Sequence, residues 1–450
     1  MEYNNIDFDK NILICINVKY YKKDFEYIKS NFCGKVITEL NNVENNFFEN
    51  KIIYLCGDIN NILDSINKYI NNKIYIIFSL SYNDNLLSNK YNIIYENIDL
   101  DEVPINIHNV GILYSKMFDD DFDYYGSITK EHKFQKLTES NKDGNAFRKG
   151  IYITKIDKID DDKLKFNLLR CSTNLDGPTD NFRNMDYEIL NKLNDCSKNL
   201  FTQRVELNHV LAQTYENTKI MSFYYYFMIF INFVYKFITG KNYFDMNNKY
   251  FKPTEKKAKI SSHSDKTKDM PKNGLIAFCT FYKSYAHDRF TDDKLKNIKK
   301  SKIDKYDYVY KDISVLTKLY FKLKNDVKDD KLIKEFEVKL YPNSVFYIPL
   351  STNKLYTHEI RPSILPIDKI PTRMGYVVRC SNTNALYMDN NVYIVDNDDS
   401  DKITKLKEIT DEDRIKIKEL YLKENMTSND IDYGKIYVSM NEGDYKKPIY

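Results

Sequence analysis

The sequence has 450 residues, of which 42% are hydrophobic and 14% aromatic, and its 68 basic and 65 acidic side chains leave a net charge of +3. This length predicts two or three folded units, and this composition excludes a largely disordered chain. The near balance of charge argues against a protein held to nucleic acid by many phosphate contacts, although a local basic groove stays open.

Cysteine usage and the first residues indicate the compartment. The seven cysteines are scattered and contain no CxxC pair, which argues against a disulfide framework and against a structural zinc site. The start, Met-Glu-Tyr-Asn-Asn, is polar and acidic and resembles neither a secretory signal nor a transit peptide. We therefore expect an intracellular, reducing compartment, either cytoplasm or nucleus.

Residues 1–105 are predicted to form an N-terminal α/β domain. Strand-like hydrophobic runs occupy 11–18, 51–57 and 73–80, with a helical pattern between the last two. Only Gly34 and Gly57 occur before residue 100, so a glycine-rich phosphate-binding loop is excluded there. The sequence assigns no role to this domain.

Short strand-like segments dominate residues 106–390. They read GIYITKI, LNHVLAQTY, GLIAFCTFY, SVLTKLYFKLK, FEVKLY, SVFYIPL and MGYVVRC. One helical pattern, at 186–201, interrupts them. Such a series of strands with polar turns predicts a sandwich or jelly-roll core, so the fold class is α+β.

Two stretches of this region are predicted to be insertions. Residues 284–312 are rich in lysine and aspartate and predict a surface loop. Residues 217–258 contain an aromatic run that carries no charge from Ile220 to Tyr235. Those 16 residues are fewer than the ~20 that a spanning helix needs, so the run predicts a buried or partner-facing helix and no membrane span.

Residues 391–450 are predicted to be a C-terminal extension. The acidic stretch at 396–401 is typical of a linker. Thr410 followed by Asp413 resembles a capping box, and the next residues have a helical period, which predicts a helix over 410–424.

His263 and Asp265 form the first part of a candidate metal site. They are two residues apart at the end of a strand-like run, so alternation points both side chains to one face. An imidazole and a carboxylate could then bind one ion. A solvated surface pair is the commoner meaning of such a spacing, so the motif needs a third ligand.

The segment 356–380 supplies the other candidates. His358 is a possible third ligand, and two His with one carboxylate make the facial triad of non-haem Fe(II) oxygenases. Arg373 and Arg379 are six residues apart in a strand-like run and therefore face the same side. A buried arginine needs an anionic partner, and this pair could bind a dicarboxylate.

The order His263-x-Asp265, a distal His358, and then Arg373-x5-Arg379 resembles the AlkB-like branch of the 2-oxoglutarate/Fe(II) dioxygenases. The resemblance covers about residues 106–385 and implies a double-stranded β-helix (jelly roll) as the catalytic core. The interval of 93 residues between Asp265 and His358 is longer than the branch usually has, and the 284–312 insertion accounts for it.

The resemblance also implies roles for single residues. His263, Asp265 and His358 would bind Fe(II). Arg373 and Tyr215 would hold the distal carboxylate of 2-oxoglutarate, and Arg379 would lie near the carboxylate that chelates the metal. The branch carries Asn-x-Tyr where this chain has Gln213-Thr-Tyr215, so Gln213 is a substitution within the cofactor site.

Other residues have a structural and a functional interpretation. His209 is expected in the core or behind the metal ligands, and Asp269 either lines the substrate mouth or is a helix-starting or solvated residue. The aromatic residues of 279–282 and 177–183 either stack on a planar substrate or belong to the core.

The predicted activity is hydroxylation or oxidative demethylation with O2 as co-substrate. A methylated nucleobase in DNA or RNA is the substrate hypothesis, and a basic groove at the pocket would favour it. A protein or small-molecule hydroxylase is the alternative, and a jelly-roll binding module without turnover is the alternative from another class. The sequence does not indicate an oligomeric state.

Overall fold

The computed structural model describes most of the chain. The described residues are 5–18, 22–39, 45–66, 72–81, 94–137, 147–173, 175–220, 223–241, 254–399 and 401–450. Within them, no helix is long and apolar enough to cross a membrane.

The N-terminal region is an α/β layer, as predicted. Its five parallel strands lie in the order Lys35–Ile37, Asn11–Ile16, Ile52–Gly57, Ile74–Ser81 and Tyr95–Ile98. Helix Ile59–Ile66 packs on one face of this sheet and helix Lys22–Asn31 on the other. Burial on both faces explains why these strands read as continuous apolar runs.

The largest sheet, here called the large sheet, has nine strands. Eight lie in the order Asp180–Asn181, Phe147–Thr154, His209–Glu216, Arg373–Arg379, Leu275–Tyr282, Ser344–Pro349, Gly111–Tyr114 and Ile105–Ile107, and Gln135–Lys136 pairs at the side with Phe147–Thr154. Its pairs are antiparallel except the short one between Asp180–Asn181 and Phe147–Thr154.

A second antiparallel sheet, here called the small sheet, contains Ile260–His263, Tyr356–Ile360, Lys318–Leu323 and Glu335–Lys339 in that order. Phe278 and Phe346 of the large sheet share one apolar core with Phe321, Phe336 and Tyr356 of the small sheet. All seven segments predicted as strands form strands of these two sheets, and the two sheets pack face to face through this core.

Helices cover the other face of the large sheet. Tyr124–Glu131 and Asn184–Ser197 pack there, the second corresponding to the helix predicted over 186–201. The imidazole of His132 is fully buried beneath them, with Nδ1 at 2.8 Å from Asp180 and Nε2 at 2.8 Å from Asp186. Burial opposes its protonation, yet these two carboxylates raise the pKa of His132 to about 9.

The C-terminal residues pair with strands from much earlier in the chain. A five-stranded antiparallel sheet has the order Ile156–Asp160, Lys163–Leu168, Thr383–Met388, Asn391–Val395 and Ile403–Lys405. The predicted helix is confirmed as Asp411–Met426, and Thr410 is its N-cap in a capping box with Asp413.

The two predicted insertions differ from the expectations: residues 284–312 are more ordered, and the aromatic run is more exposed. The 284–312 stretch is not a simple loop, because it contains two small antiparallel pairings and adds Tyr285 and Tyr308 to an apolar cluster. The aromatic run forms helix Phe223–Thr239, and none of its described side chains is buried. The prediction of a buried helix is therefore wrong, and the partner-facing alternative stays open.

Candidate metal centre

Two histidines face each other on neighbouring strands of the small sheet. His263 ends strand Ile260–His263, and its Cα pairs across the ladder with that of His358 in strand Tyr356–Ile360. Their ring centroids are 4.4 Å apart. Directly opposite positions in an antiparallel pair bring side chains together on one face, so the 94 residues of intervening chain do not separate these rings.

Asp265 completes the group from the loop after the first strand. Its Oδ1 lies 3.6 Å from His263 Nε2 and 3.9 Å from His358 Nε2. One possible ligand atom from each of the three residues lies within 4.8 Å of the others. Adjacent ligands of one ion with bonds of about 2.0–2.2 Å lie about 3 Å apart, so small side-chain movements would bring these three donors onto a single cation.

Neighbouring groups fix the ligand atoms. The Nδ1–H of His263 donates to the Ser261 carbonyl at 2.9 Å, which leaves its Nε2 free to face the site. Asn353 holds the backbone of Asp265 from both sides, accepting from its N–H at 2.8 Å and donating to its carbonyl at 2.9 Å. The loop that carries the carboxylate is therefore held in place without using the carboxylate oxygens.

The electrostatics favour the protonation states that bind metal. Burial opposes ionisation of Asp265, but Arg379 and the two imidazoles hold its pKa well below its usual range. Burial, together with the neighbouring His263, lowers the pKa of His358 to about 3. At neutral pH the carboxyl is ionised and the His358 imidazole is neutral, as metal coordination requires.

Aromatic rings enclose His358. Phe278 of the large sheet lies edge-on at 5.4 Å between centroids, and Phe321 of the small sheet at 5.7 Å. Within the described residues, its Nδ1 has no hydrogen-bond partner. Packing, and not a hydrogen bond, therefore holds this imidazole in its orientation.

Arg373, Tyr215 and Gln213 form a second group on the large sheet. Tyr215 pairs with Arg373 across the ladder, and the guanidinium stacks on the tyrosine ring at 4.5 Å. The Tyr215 hydroxyl donates to Gln213 Oε1 at 2.8 Å. Gly375 lines the same cavity as the arginine, and a Cβ there would lie 3.1 Å from Arg373 Nη1, so glycine gives the guanidinium its space.

Arg373 is 5% exposed and, among the described residues, has no carboxylate within ion-pair distance. A buried guanidinium without a counter-ion is costly. The side chain lines the same cavity as the metal group, so an anion that enters this cavity would supply the missing charge.

Arg379 lies on the same strand face as Arg373, as alternation requires, but its partner is a predicted ligand. Its Nε donates to Asp265 Oδ2 at 2.8 Å, which leaves Oδ1 directed at the histidines. Its buried Nη1 meets no acceptor among the described residues. Arg379 therefore orients the carboxylate ligand and still has one donor available.

The cavity between the two sheets has a volume of about 470 Å³. It connects the metal group with Arg373, Arg379, Tyr215 and Gln213, so the structure brings all seven predicted site residues to one cavity. The cavity also includes Arg148 and Lys418, which the sequence analysis missed. Arg148 pairs with Tyr215 across the ladder, and extending the GIYITKI strand back by two residues would have identified it.

The C-terminal helix Asp411–Met426 contacts the loop that follows the metal ligands. Asn425 Oδ1 accepts from the Ser264 N–H at 3.0 Å and from Lys266 Nζ at 2.5 Å. Glu424 accepts from the Thr267 N–H at 3.0 Å. No local pattern in the sequence indicates these contacts, which join segments about 160 residues apart.

The remaining candidates are structural. Asp269 is 2% exposed and does not line this cavity, because Arg170 pairs with it through Nη2 at 2.6 Å. His209 is buried beside the Tyr152 ring, as expected for a core residue. Phe182 and Phe281 belong to the apolar core behind the large sheet, so they do not stack on a substrate.

Comparisons with known proteins assign no family. No protein-family model matches the chain, and no curated protein matches it. A solved bsmA homolog from Methylobium petroleophilum PM1 aligns over 58% of this chain and 80% of its own, with 8% identity and a TM-score of 0.23. The Fe(II)/α-ketoglutarate-dependent dioxygenase TqaL aligns over 55% and 70%, with 8% identity and a TM-score of 0.20. These scores are too low to assign a fold or an activity.

Proposed function

We propose that this protein is an Fe(II)- and 2-oxoglutarate-dependent dioxygenase. One observation carries the proposal: His263, Asp265 and His358 offer ligand atoms within 4.8 Å of one another, in a cavity that also holds the buried Arg373, for which the described residues supply no carboxylate partner. The three ligand residues would bind the iron. Arg373 would bind a carboxylate of a diacid beside it.

The donor set fits Fe(II). Two imidazoles and one carboxylate occupy one face of an octahedral ion and leave the other positions to other molecules. When bound, the iron and 2-oxoglutarate supply the oxidising power for inserting oxygen from O2 into a C–H bond. This chain's own part is to hold the three ligands, and Arg379 and Asn353 do so by fixing the carboxylate and its backbone.

The second group fits 2-oxoglutarate. Arg373 would neutralise the distal carboxylate, and the Tyr215 hydroxyl would donate to it after turning from Gln213. Gln213 would then serve as the hydrogen-bond partner that positions the tyrosine when the cavity is empty. Arg379 also lines this cavity, and its Nη1, which has no acceptor among the described residues, would suit the other carboxylate.

The same proposal extends to fold and domains. The paired large and small sheets would be a double-stranded β-helix within 106–390, with an N-terminal domain at 1–105 and a C-terminal extension at 391–450. The AlkB-like branch is proposed on the order of the ligands and the two arginines alone.

For the substrate we retain the nucleobase hypothesis. Arg148 and the exposed Lys418 line the cavity, and their positive charge favours a substrate with a phosphate group over a neutral peptide. Turnover on a methylated oligonucleotide, compared with peptides and small molecules, tests it. Turnover of only an uncharged substrate would contradict it.

The activity is tested by succinate formation from 2-oxoglutarate with purified protein and Fe(II). We expect iron-dependent turnover, lost in His358→Ala together with Fe(II) binding. His287→Asn is the matched control, because His287 is exposed outside the cavity and its φ of 47° suits asparagine. Absence of Fe(II) binding, or equal binding by wild type and His358→Ala, would refute the metal site. Binding without turnover on any substrate would favour the non-catalytic module.

A further inference from the structure

The exposed helix Phe223–Thr239 is a surface feature that the proposed activity leaves unexplained. Five of its large apolar side chains are exposed: Phe227 49%, Phe230 62%, Phe233 67%, Phe237 85% and Ile238 73%. A contiguous apolar surface of this kind marks a site of interaction.

The angular spread of these residues restricts what can cover them. At 3.6 residues per turn, the exposed apolar positions from Ile229 round to Tyr235 extend over about 240° of the helix. A helix that packs on a protein groove buries a narrower stripe, commonly about 100° wide. Asn232, Lys236 and Thr239 lie in the remaining sector, so the apolar surface is wider than one protein groove covers and suits the apolar medium of a membrane interface.

Charge gives the second observation. Residues 217–258 contain seven lysines against one aspartate and one glutamate, a net charge of +5, whereas the whole chain has only +3. The remainder of the chain is therefore net negative. Two copies of such a segment would repel each other, while anionic lipid headgroups would attract it.

The insertion that contains the helix begins and ends next to the candidate metal ligands. Its stem, Thr218–Ile220 paired with Thr254–Lys256, follows the strand that carries Tyr215 and precedes the strand that carries His263. The Ala258 N–H donates to Asn217 Oδ1 at 2.8 Å and closes the base of the stem.

We propose that helix Phe223–Thr239 lies in the interface of an anionic phospholipid bilayer, with its apolar surface among the acyl chains. The helix does not span the bilayer in this arrangement. It attaches the protein to the membrane surface, and the lysines of the insertion contact the headgroups.

Co-sedimentation with vesicles tests the proposal on the full-length protein. We expect binding to phosphatidylcholine vesicles that contain phosphatidylserine, weakened by salt and weaker with phosphatidylcholine alone. The variant Phe230→Ser/Phe233→Ser/Phe237→Ser should lose at least about 100-fold in vesicle partitioning, since three apolar side chains no longer enter the bilayer. Its matched control, Ile159→Ser/Ile303→Ser/Ile364→Ser, changes three exposed apolar residues elsewhere and should bind as wild type does.

Fluorescence reports the position of the helix directly. The chain contains no tryptophan, so Phe233→Trp supplies a single indole. We expect its emission to shift to the blue on vesicle addition and to be quenched by brominated acyl chains. No binding by wild type, or equal binding by the triple phenylalanine variant, would overturn the proposal. A dimer that dissociates only in that variant, without vesicle binding, would assign the helix to a second copy instead.

Discussion

The substitution Arg373→Met tests whether Arg373 serves the proposed binding of 2-oxoglutarate or the stability of the fold. The guanidinium is 5% exposed, stacks on Tyr215 at 4.5 Å and has no carboxylate partner among the described residues. Without an anion, this buried charge destabilises the folded protein, and methionine fills similar space without charge. We therefore expect the variant, in the absence of 2-oxoglutarate, to equal wild type in free energy of unfolding or to exceed it by about 1–2 kcal/mol.

The ligand should reverse that order. At a 2-oxoglutarate concentration of 100 times Kd, binding stabilises wild type by about 2.7 kcal/mol. Loss of one buried, charge-assisted contact is expected to raise Kd about 100-fold. At the same concentration the variant is then only half saturated, and the ligand stabilises it by about 0.4 kcal/mol.

Urea unfolding with Fe(II) under anaerobic conditions, with and without 2-oxoglutarate, measures both quantities. Arg361→Met is the matched control, because Arg361 also stacks on a tyrosine, Tyr320 at 4.2 Å, but is exposed outside the metal cavity. It should keep the full ligand effect. The reasoning is refuted if Arg373→Met retains wild-type stabilisation by 2-oxoglutarate, or loses several kcal/mol without ligand as a structural arginine would.

Two further predictions concern groups that support the site and the core. Asn353→Ala frees the backbone of Asp265 and should weaken Fe(II) binding by about 10–100-fold in a metal titration, and unchanged affinity would contradict the positioning role. His132 has its folded pKa raised to about 9 by Asp180 and Asp186, so its contribution to stability is complete below its unfolded pKa near 6.5 and is lost as pH rises through 9. Between pH 6 and pH 10, the free energy of unfolding measured in urea should fall by about 3 kcal/mol more in wild type than in His132→Gln. Equal losses in the two proteins would refute a stabilising interaction of protonated His132 with the two carboxylates.

The sequence predicts those parts of the molecule that local periodicity determines. Arg373 and Arg379 share a strand face because side chains alternate with a period of two, and both side chains line the cavity. The pairing of His263 with His358 depends on strand register, which alternation does not determine. The cap at Thr410 depends on residues three apart, so the C-terminal helix is also predicted from its own sequence.

Contacts between distant segments could not be predicted in this way. No local pattern near Asn353 or Glu424 indicates that Asn353 bonds the backbone of Asp265 or that Glu424 bonds the backbone of Thr267. These hydrogen bonds form only when the folded chain brings distant segments together. The exposure of helix Phe223–Thr239 was not predicted, because an apolar run has the same composition whether it is buried in the protein core or lies on the surface.

The hydrogen bonds between helix Asp411–Met426 and residues 264–267 have a consequence for biosynthesis. The ribosome makes His263, Asp265 and His358 well before it makes Asn425. The nascent chain therefore contains the three candidate ligands while the loop after Asp265 still lacks these hydrogen bonds. The loop that follows Asp265 reaches its final form only after residues 411–426 have been made. We expect a chain truncated before residue 411 to contain all three candidate ligands and to bind Fe(II) more weakly.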